Sequence, residues 1–236
     1  MGAPFHQHLF PLVKRAMRDY DMLHDGDSVA VGVSGGKDSL TTLYTLARLR
    51  RMLPIKFELH AISVDMGWPG SDWSDVAAFC RDQDVPFHLV KTEIAQVLFD
   101  LRKETNPCSL CSKLRHGALN SEAVRLGCHK VALGHHREDA VETLFLNMIY
   151  NGRIDCFKPV TWLDRRELYL IRPLVYVSEN TTRRVAAKLE LPVLHNPCPA
   201  DGYTKRQQIK ELLAAQAATD KNVPKRLLTA VKSLWV

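Results

Sequence analysis

The most constraining stretch of this sequence is Val29-Ala30-Val31-Gly32-Val33-Ser34-Gly35-Gly36-Lys37-Asp38-Ser39. A short apolar run reads as a buried strand, and it passes through glycines into leucines at helical spacing: Leu40, Leu43, Leu46 and Leu49. Glycines let a backbone approach an anion closely. The helix behind them offers unpaired N–H groups and the positive end of its dipole. Ser34 and Ser39 add hydroxyl donors, and Lys37 adds a charge. The spacing is not that of a Walker A loop, which needs four residues between its first glycine and its Gly-Lys pair. The segment reads as a phosphate-binding loop at the carboxyl end of a strand.

The rest of the chain alternates in the same way. Strands are predicted at 28–33, 57–64, 86–90, 130–133 and about 169–171, with helices at 38–52, 72–83, 109–126 and about 137–149. Repeated strand–helix units imply an α/β fold with a parallel, five-stranded, Rossmann-like sheet and C-terminal helices. Ligands in such folds bind beyond the carboxyl ends of the strands. The chemically loaded segments 34–39, 65–68 and 134–139 fall there. Three parts are expected: an N-terminal helical segment (1–24), an α/β domain carrying the loop (25–177), and a basic helical region completing the site (178–236).

With 236 residues, 46% of them hydrophobic, the chain can bury a core without disulfides. It has no apolar run of about 18 residues, so no membrane helix is predicted. The first residues lack a signal-peptide core, and a cytoplasmic protein is expected. Residues 1–179 hold 22 basic and 22 acidic side chains, whereas 180–236 hold 10 and 4, so the whole net charge of +6 lies in the tail. A basic appendage on a neutral body suits a phosphate-rich partner such as RNA, the alternative being a solvated helix face. Lys205, Arg206, Lys210, Lys221, Lys225, Arg226 and Lys232 are its candidate phosphate contacts.

Of six cysteines, Cys108 and Cys111 are closely spaced at a predicted helix start, and Cys198 sits between prolines in a loop. Cys80, Cys128 and Cys156 lie in or beside apolar elements and read as packing residues. Two thiolates are too few for a closed zinc site. Three suit an iron–sulfur cluster with one iron lacking a protein ligand. A persulfide-passing pair, with Cys198 uninvolved, is equally compatible with the residues alone.

Ser34-Gly35-Gly36-Lys37-Asp38-Ser39 resembles the signature of the pyrophosphate-loop ATPases, which split ATP into AMP and pyrophosphate. Adding Pro107-Cys108-Ser109-Leu110-Cys111 and Gly134-His135-His136-Arg137-Glu138-Asp139, the chain is similar to the tRNA 2-thiolation enzymes over about residues 20–215. It looks closest to the TtcA-type 2-thiocytidine synthetases, with the 2-thiouridine synthetases next. Two departures stand out. Cys198 is followed by Pro199-Ala200-Asp201 rather than by a second Cys-x-x-Cys, as in the 2-thiouridine enzymes, yet their zinc-binding terminal cysteines are missing here.

The resemblance implies an adenine nucleotide α-hydrolase-like fold and an ATP-dependent tRNA sulfurtransferase. In the implied reaction the C2 oxygen of a pyrimidine is adenylated and then replaced by sulfur. ATP and Mg²⁺ are implied, held by Gly32, Val33, Ser34, Gly35, Gly36, Lys37, Asp38, Ser39, Val64, Arg115 and Gly134, the last where a side chain would block the nucleotide. Lys37, Asp38 and Asp139 are the implied catalytic residues, and Cys108, Cys111 and Cys198 the ligands of a [4Fe–4S] cluster. His135 and His136 are open to nucleotide hydrogen bonds or to structural roles. Implied partners are tRNA and a sulfur donor (a cysteine desulfurase, sulfide or a sulfur-carrier protein), with a homodimer one assembly open to it and no membrane involved. Turnover without a cluster, a non-tRNA acceptor and a non-catalytic nucleotide sensor are the competing readings.

Overall fold

The computed structural model describes residues 6–102, 107–199 and 204–235. Helix α1 (His6–Asp19) leads to β1 (Asp27–Gly32), α2 (Lys37–Arg50), β2 (Phe57–Asp65), α3 (Ser74–Asp82) and β3 (Phe87–Lys91). A single turn, α4 (Ile94–Gln96), widens into a π-helical stretch (Val97–Leu101), followed by α5 (Pro107–Arg125), β4 (Lys130–Ala132) and α6 (Arg137–Asn151). The hairpin β5 (Val160–Leu163) and β6 (Leu168–Ile171) then precedes α7 (Glu179–Lys188), α8 (Lys205–Thr219) and α9 (Val223–Lys232).

The sheet runs β3-β2-β1-β4-β6-β5. The five expected strands are parallel throughout, while β5 pairs antiparallel with β6 at the edge. The expectation of five strands is thus corrected to six. Val160–Leu163 is too short a run for its alternation to stand out in sequence, and it is held by its hairpin partner β6. Trp162 lies opposite Tyr169 with ring centroids 4.6 Å apart. Glu167, at a φ of 51°, closes the turn by donating its N–H to the Leu163 carbonyl at 2.8 Å.

Period-2 alternation sorts the strand residues between two cores. Val29, Val31, Leu59 and Ala61 join α1, α2, Val185, Val231 and Trp235 on one face. Ala30 and Ile62 join Leu119 and Ala123 of α5 on the other. The larger core therefore draws on all three parts of the chain. Trp235 reinforces this by donating its indole N–H to the Phe157 carbonyl at 2.8 Å.

Helix α2 is buried almost all round, including Thr41, Thr42 and Thr45. An unpartnered buried hydroxyl costs free energy. Each hydroxyl here donates to the carbonyl four residues earlier, at 2.6–2.8 Å. The helix that follows the phosphate loop thus buries these hydroxyls with partners, next to β1, which lies between β2 and β4 at the centre of the sheet.

Candidate active site

Strand β1 continues one residue beyond its end: Val33 donates its N–H to the Ile62 carbonyl at 2.8 Å and accepts from Ser63 Oγ at 2.6 Å. The loop then turns on its own serines. Ser39 Oγ donates to the Gly36 carbonyl at 2.8 Å and accepts from the Ser34 N–H at 3.1 Å. The Ser34 hydroxyl in turn donates to Ser39 Oγ at 3.2 Å, so both hydroxyls, expected as phosphate donors, are engaged in shaping the loop. Gly36 stands at the N-cap of α2 and no side chain caps the helix. Its first-turn N–H groups keep the anion-binding capacity expected of them.

A cleft of about 730 Å³ opens at the carboxyl ends of the central strands. Of the expected residues, Gly32, Val33, Ser34, Gly36, Asp38, Ser39, Val64, Arg115 and Gly134 line it. Gly35, Lys37, Asp139 and the three cysteines do not. Lys37 Nζ lies 2.8 Å from Asp38 Oδ2 and 3.2 Å from Glu179 Oε1. Burial disfavours its charge, but Asp38 and Glu179 outweigh this and raise its pKa. Asp38 is held from the other side by Thr182, whose hydroxyl donates to Oδ1 at 2.5 Å.

Gly134 lines the cleft and meets a second constraint as well. A Cβ there would lie 2.9 Å from the Asp38 carbonyl carbon and the Ser39 nitrogen. Its smallness admits the backbone at the start of α2, besides leaving the cleft open.

Asp139 closes a capping box on α6. Its Oδ2 accepts from the His136 N–H at 2.8 Å, while the His136 ring accepts from the Asp139 N–H. Its Oδ1 lies 3.7 Å from Arg206. His136 is buried, which opposes its charge, but Glu138, Asp139 and Asp38 together raise its pKa. His135 lines the cleft and takes the opposite course: burial, reinforced by Arg172, pushes it down to about 3, so it stays neutral at pH 7.

The cysteines gather beside this cleft. Cys108 falls in the first turn of α5 and Cys111 at the start of the second, the helix beginning two residues earlier than expected. Arg115, one turn on, reaches the cleft wall. Burial raises the Cys111 pKa, Arg115 opposes that, and the neighbouring Cys198 and Cys108 thiols add to it. Cys198 directly follows Leu194, His195, Asn196 and Pro197, which line the cleft. Leu194 anchors this segment by donating its N–H to the Gly35 carbonyl at 2.9 Å. All six cysteines are free, and Cys80, Cys128 and Cys156 are buried as packing residues. Among the described residues, no three His, Cys, Asp or Glu side chains converge closely enough to hold a metal ion.

Several contributors had no signal in the sequence. Glu179 and Thr182 reach Lys37 and Asp38 of the loop, Glu142 pairs with Arg206, and His116, Trp68 and Trp73 line the cleft. Glu138, inside the 134–139 segment, pairs with His136. Of the basic tail residues, Arg206 is paired with Glu142 at 3.0 Å, Lys210 with Glu179 at 2.8 Å and Arg226 with Asp220 at 2.7 Å. Lys205 lies over the Tyr150 ring and Lys232 over Tyr176. Lys221 and Lys225 are exposed.

The PP-loop domain model matches residues 9–217. The chain belongs to the PP-loop family. Within that family it is 39% identical over 222 residues to a tRNA-cytidine(32) 2-sulfurtransferase of Geobacter sulfurreducens, covering 93% of this chain and 86% of the relative. It is 40% identical over 204 residues to one from Pseudomonas putida, covering 86% and 74%. Among solved structures, the fold is similar to the U34-tRNA thiolase of Methanococcus maripaludis with its [4Fe-4S] cluster: TM-score 0.81 at 23% identity, over 98% of this chain and 78% of that one. An NH3-dependent NAD synthetase from Campylobacter jejuni shares it more distantly, with a TM-score of 0.53 at 14% identity, over 99% and 94%.

Proposed function

We propose that this chain is an ATP-dependent, AMP-forming sulfurtransferase that replaces the C2 oxygen of cytidine 32 in tRNA with sulfur. The observation that carries the reading is the bond from Leu194 to Gly35, which seats the Cys198 segment on the phosphate loop of one cleft. The relatives at 39–40% identity supply the nucleoside and its position.

The loop 34–39 takes the β and γ phosphates, with the uncapped start of α2 beside the pyrophosphate that leaves and Lys37 turning to it from Glu179. Asp38 would hold Mg²⁺, which neutralises the same charge. Val64, at the end of β2, and Arg115 both line the cleft; the Val64 backbone would read adenine and Arg115 would contact the α-phosphate. The C2 oxygen attacks that phosphorus and expels pyrophosphate. A sulfur nucleophile then adds at C2, and AMP leaves with the oxygen. His135, kept neutral, lines the cleft as a hydrogen-bonding group that adds no charge. Asp139, with His136, caps the start of α6.

Cys108, Cys111 and Cys198 lie beside the cleft without converging on one point, and as three soft thiol donors they match in chemistry what an iron–sulfur cluster requires. Cys108, Cys111 and Cys198 would hold it, and when bound it supplies an iron without a protein ligand, where sulfur can be delivered. The exposed bases Lys205, Arg206, Lys221, Lys225 and Arg226 would position cytoplasmic tRNA through its phosphates. The sulfur itself would come from a cysteine desulfurase, sulfide or a sulfur-carrier protein.

The test is ATP labelled at the α-phosphate. AMP and pyrophosphate should form only when tRNA with cytidine 32 is added. Formation of ADP, or turnover indifferent to tRNA, would rule the reading out.

A further inference from the structure

One carboxylate ties the phosphate loop to the basic helix α8. Glu179 opens α7, where its N–H donates to Glu138 Oε2 at 2.8 Å, and its side chain is 13% exposed. Its Oε1 receives three cations: Lys210 at 2.8 Å, Lys37 at 3.2 Å and Arg183 at 3.4 Å. One turn later Thr182 donates to Asp38. A single turn of α7 therefore grips two consecutive residues of the phosphate loop. Helix α8 reaches the same region a second time through Arg206, which pairs with Glu142 at 3.0 Å.

The three cations compete for one oxygen. A triphosphate carries about four negative charges and draws the Lys37 ammonium from Glu179, its more distant partner at 3.2 Å, while Asp38 at 2.8 Å stays beside it. Once Lys37 turns to the nucleotide, the hold of Glu179 on Lys210 strengthens. Helix α8, which presents Lys205 and Arg206, is then fixed before RNA arrives. Ordering done in advance is ordering that RNA binding no longer has to supply.

We propose that Glu179 is a positioning residue through which Lys37 and Lys210 communicate, so that nucleotide in the loop and RNA on α8 favour each other's binding. This rests on the tRNA-thiolation reading above. The coupling is reciprocal, since each ligand must change the other's affinity by the same factor.

The experiment measures binding of unmodified tRNA to the anaerobically prepared full chain, with and without Mg²⁺ and a non-hydrolysable ATP analogue, and the analogue's affinity with and without tRNA. The wild type should show about fivefold mutual tightening. Glu179→Gln should reduce the coupling factor to below about twofold while each ligand still binds. Lys210→Met, on a half-buried position of α8, should do the same and guards against misfolding of the first variant. Undiminished coupling in both variants overturns the proposal, as does a wild type that binds both ligands independently. A wild type that binds neither ligand overturns the tRNA-thiolation reading itself, and the coupling with it.

Discussion

The Leu194 N–H donates to the Gly35 carbonyl at 2.9 Å, and the Leu194 side chain occupies the space where a Cβ on Gly35 would project. Gly35 has a φ of 80°, a region costly for residues with side chains. An alanine there meets two penalties, one of backbone strain and one of overlap with Leu194. Gly35→Ala should lose about 2–4 kcal/mol of stability, measured by denaturant unfolding. Adding Leu194→Ala should recover the overlap part, about 1–2 kcal/mol, and leave the strain. Simple additivity of the two substitutions would contradict the contact.

Gly134→Ala probes a different surface. Its methyl would press on the backbone of Asp38 and Ser39 at 2.9 Å, which cannot swing away as a side-chain tip can. The start of α2 must shift, so nucleotide affinity should fall by roughly tenfold or more, about 1.4 kcal/mol or above. Titration with an ATP analogue checks this, and unchanged affinity would show that the loop yields freely.

Much of this site was legible in the sequence, but unevenly. The phosphate loop, the parallel strands and the convergence of segments 34–39 and 134–139 follow from local pattern. Periodicity records which residues are buried, not what they meet. Thr182 and Asp38 are 144 residues apart, and no local signal joins them. Gly134 was legible as a place for smallness but not as the neighbour of α2. His136 is not among the usual N-cap residues, so the capping box with Asp139 had no sequence signature. The hairpin strand β5 went unseen because four residues carry too little alternation.

The cysteines divide into two chemical groups. Burial pushes Cys80 up to about 12 and Cys156 up to about 11, so both remain protonated thiols at neutral pH. Iodoacetamide on the metal-free native protein should label Cys108 and Cys198 quickly and leave Cys80 and Cys156 unlabelled, as read by peptide mass spectrometry. After anaerobic reconstitution, Cys108→Ala, Cys111→Ala and Cys198→Ala should each lose most of the bound iron, whereas Cys80→Ala should retain it. Full iron in the Cys198→Ala protein would remove that residue from the ligand set.

Acid should loosen the helices around the loop. Burial alone would raise Glu138 and Glu179, but His136 and Arg137 hold Glu138, and Lys210 and Lys37 hold Glu179, each at about 2 against an ordinary 4.5. Carboxyls with a lowered folded pKa contribute stability that is present above pH 4.5 and lost as pH falls toward 2. Allowing for solvent screening, the two together are worth on the order of 2 kcal/mol, or a Tm decrease of about 4–8 °C. Thermal melts between pH 6 and pH 3 should show a smaller decrease in Glu179→Gln than in the wild type.

The most direct measurement is mass spectrometry of nucleosides from tRNA of cells lacking this chain, of the same cells with it restored, and of cells carrying Cys111→Ala. The account predicts 2-thiocytidine at position 32 only where the intact chain is present. Unchanged 2-thiocytidine in its absence, or loss of 2-thiouridine instead, would contradict it.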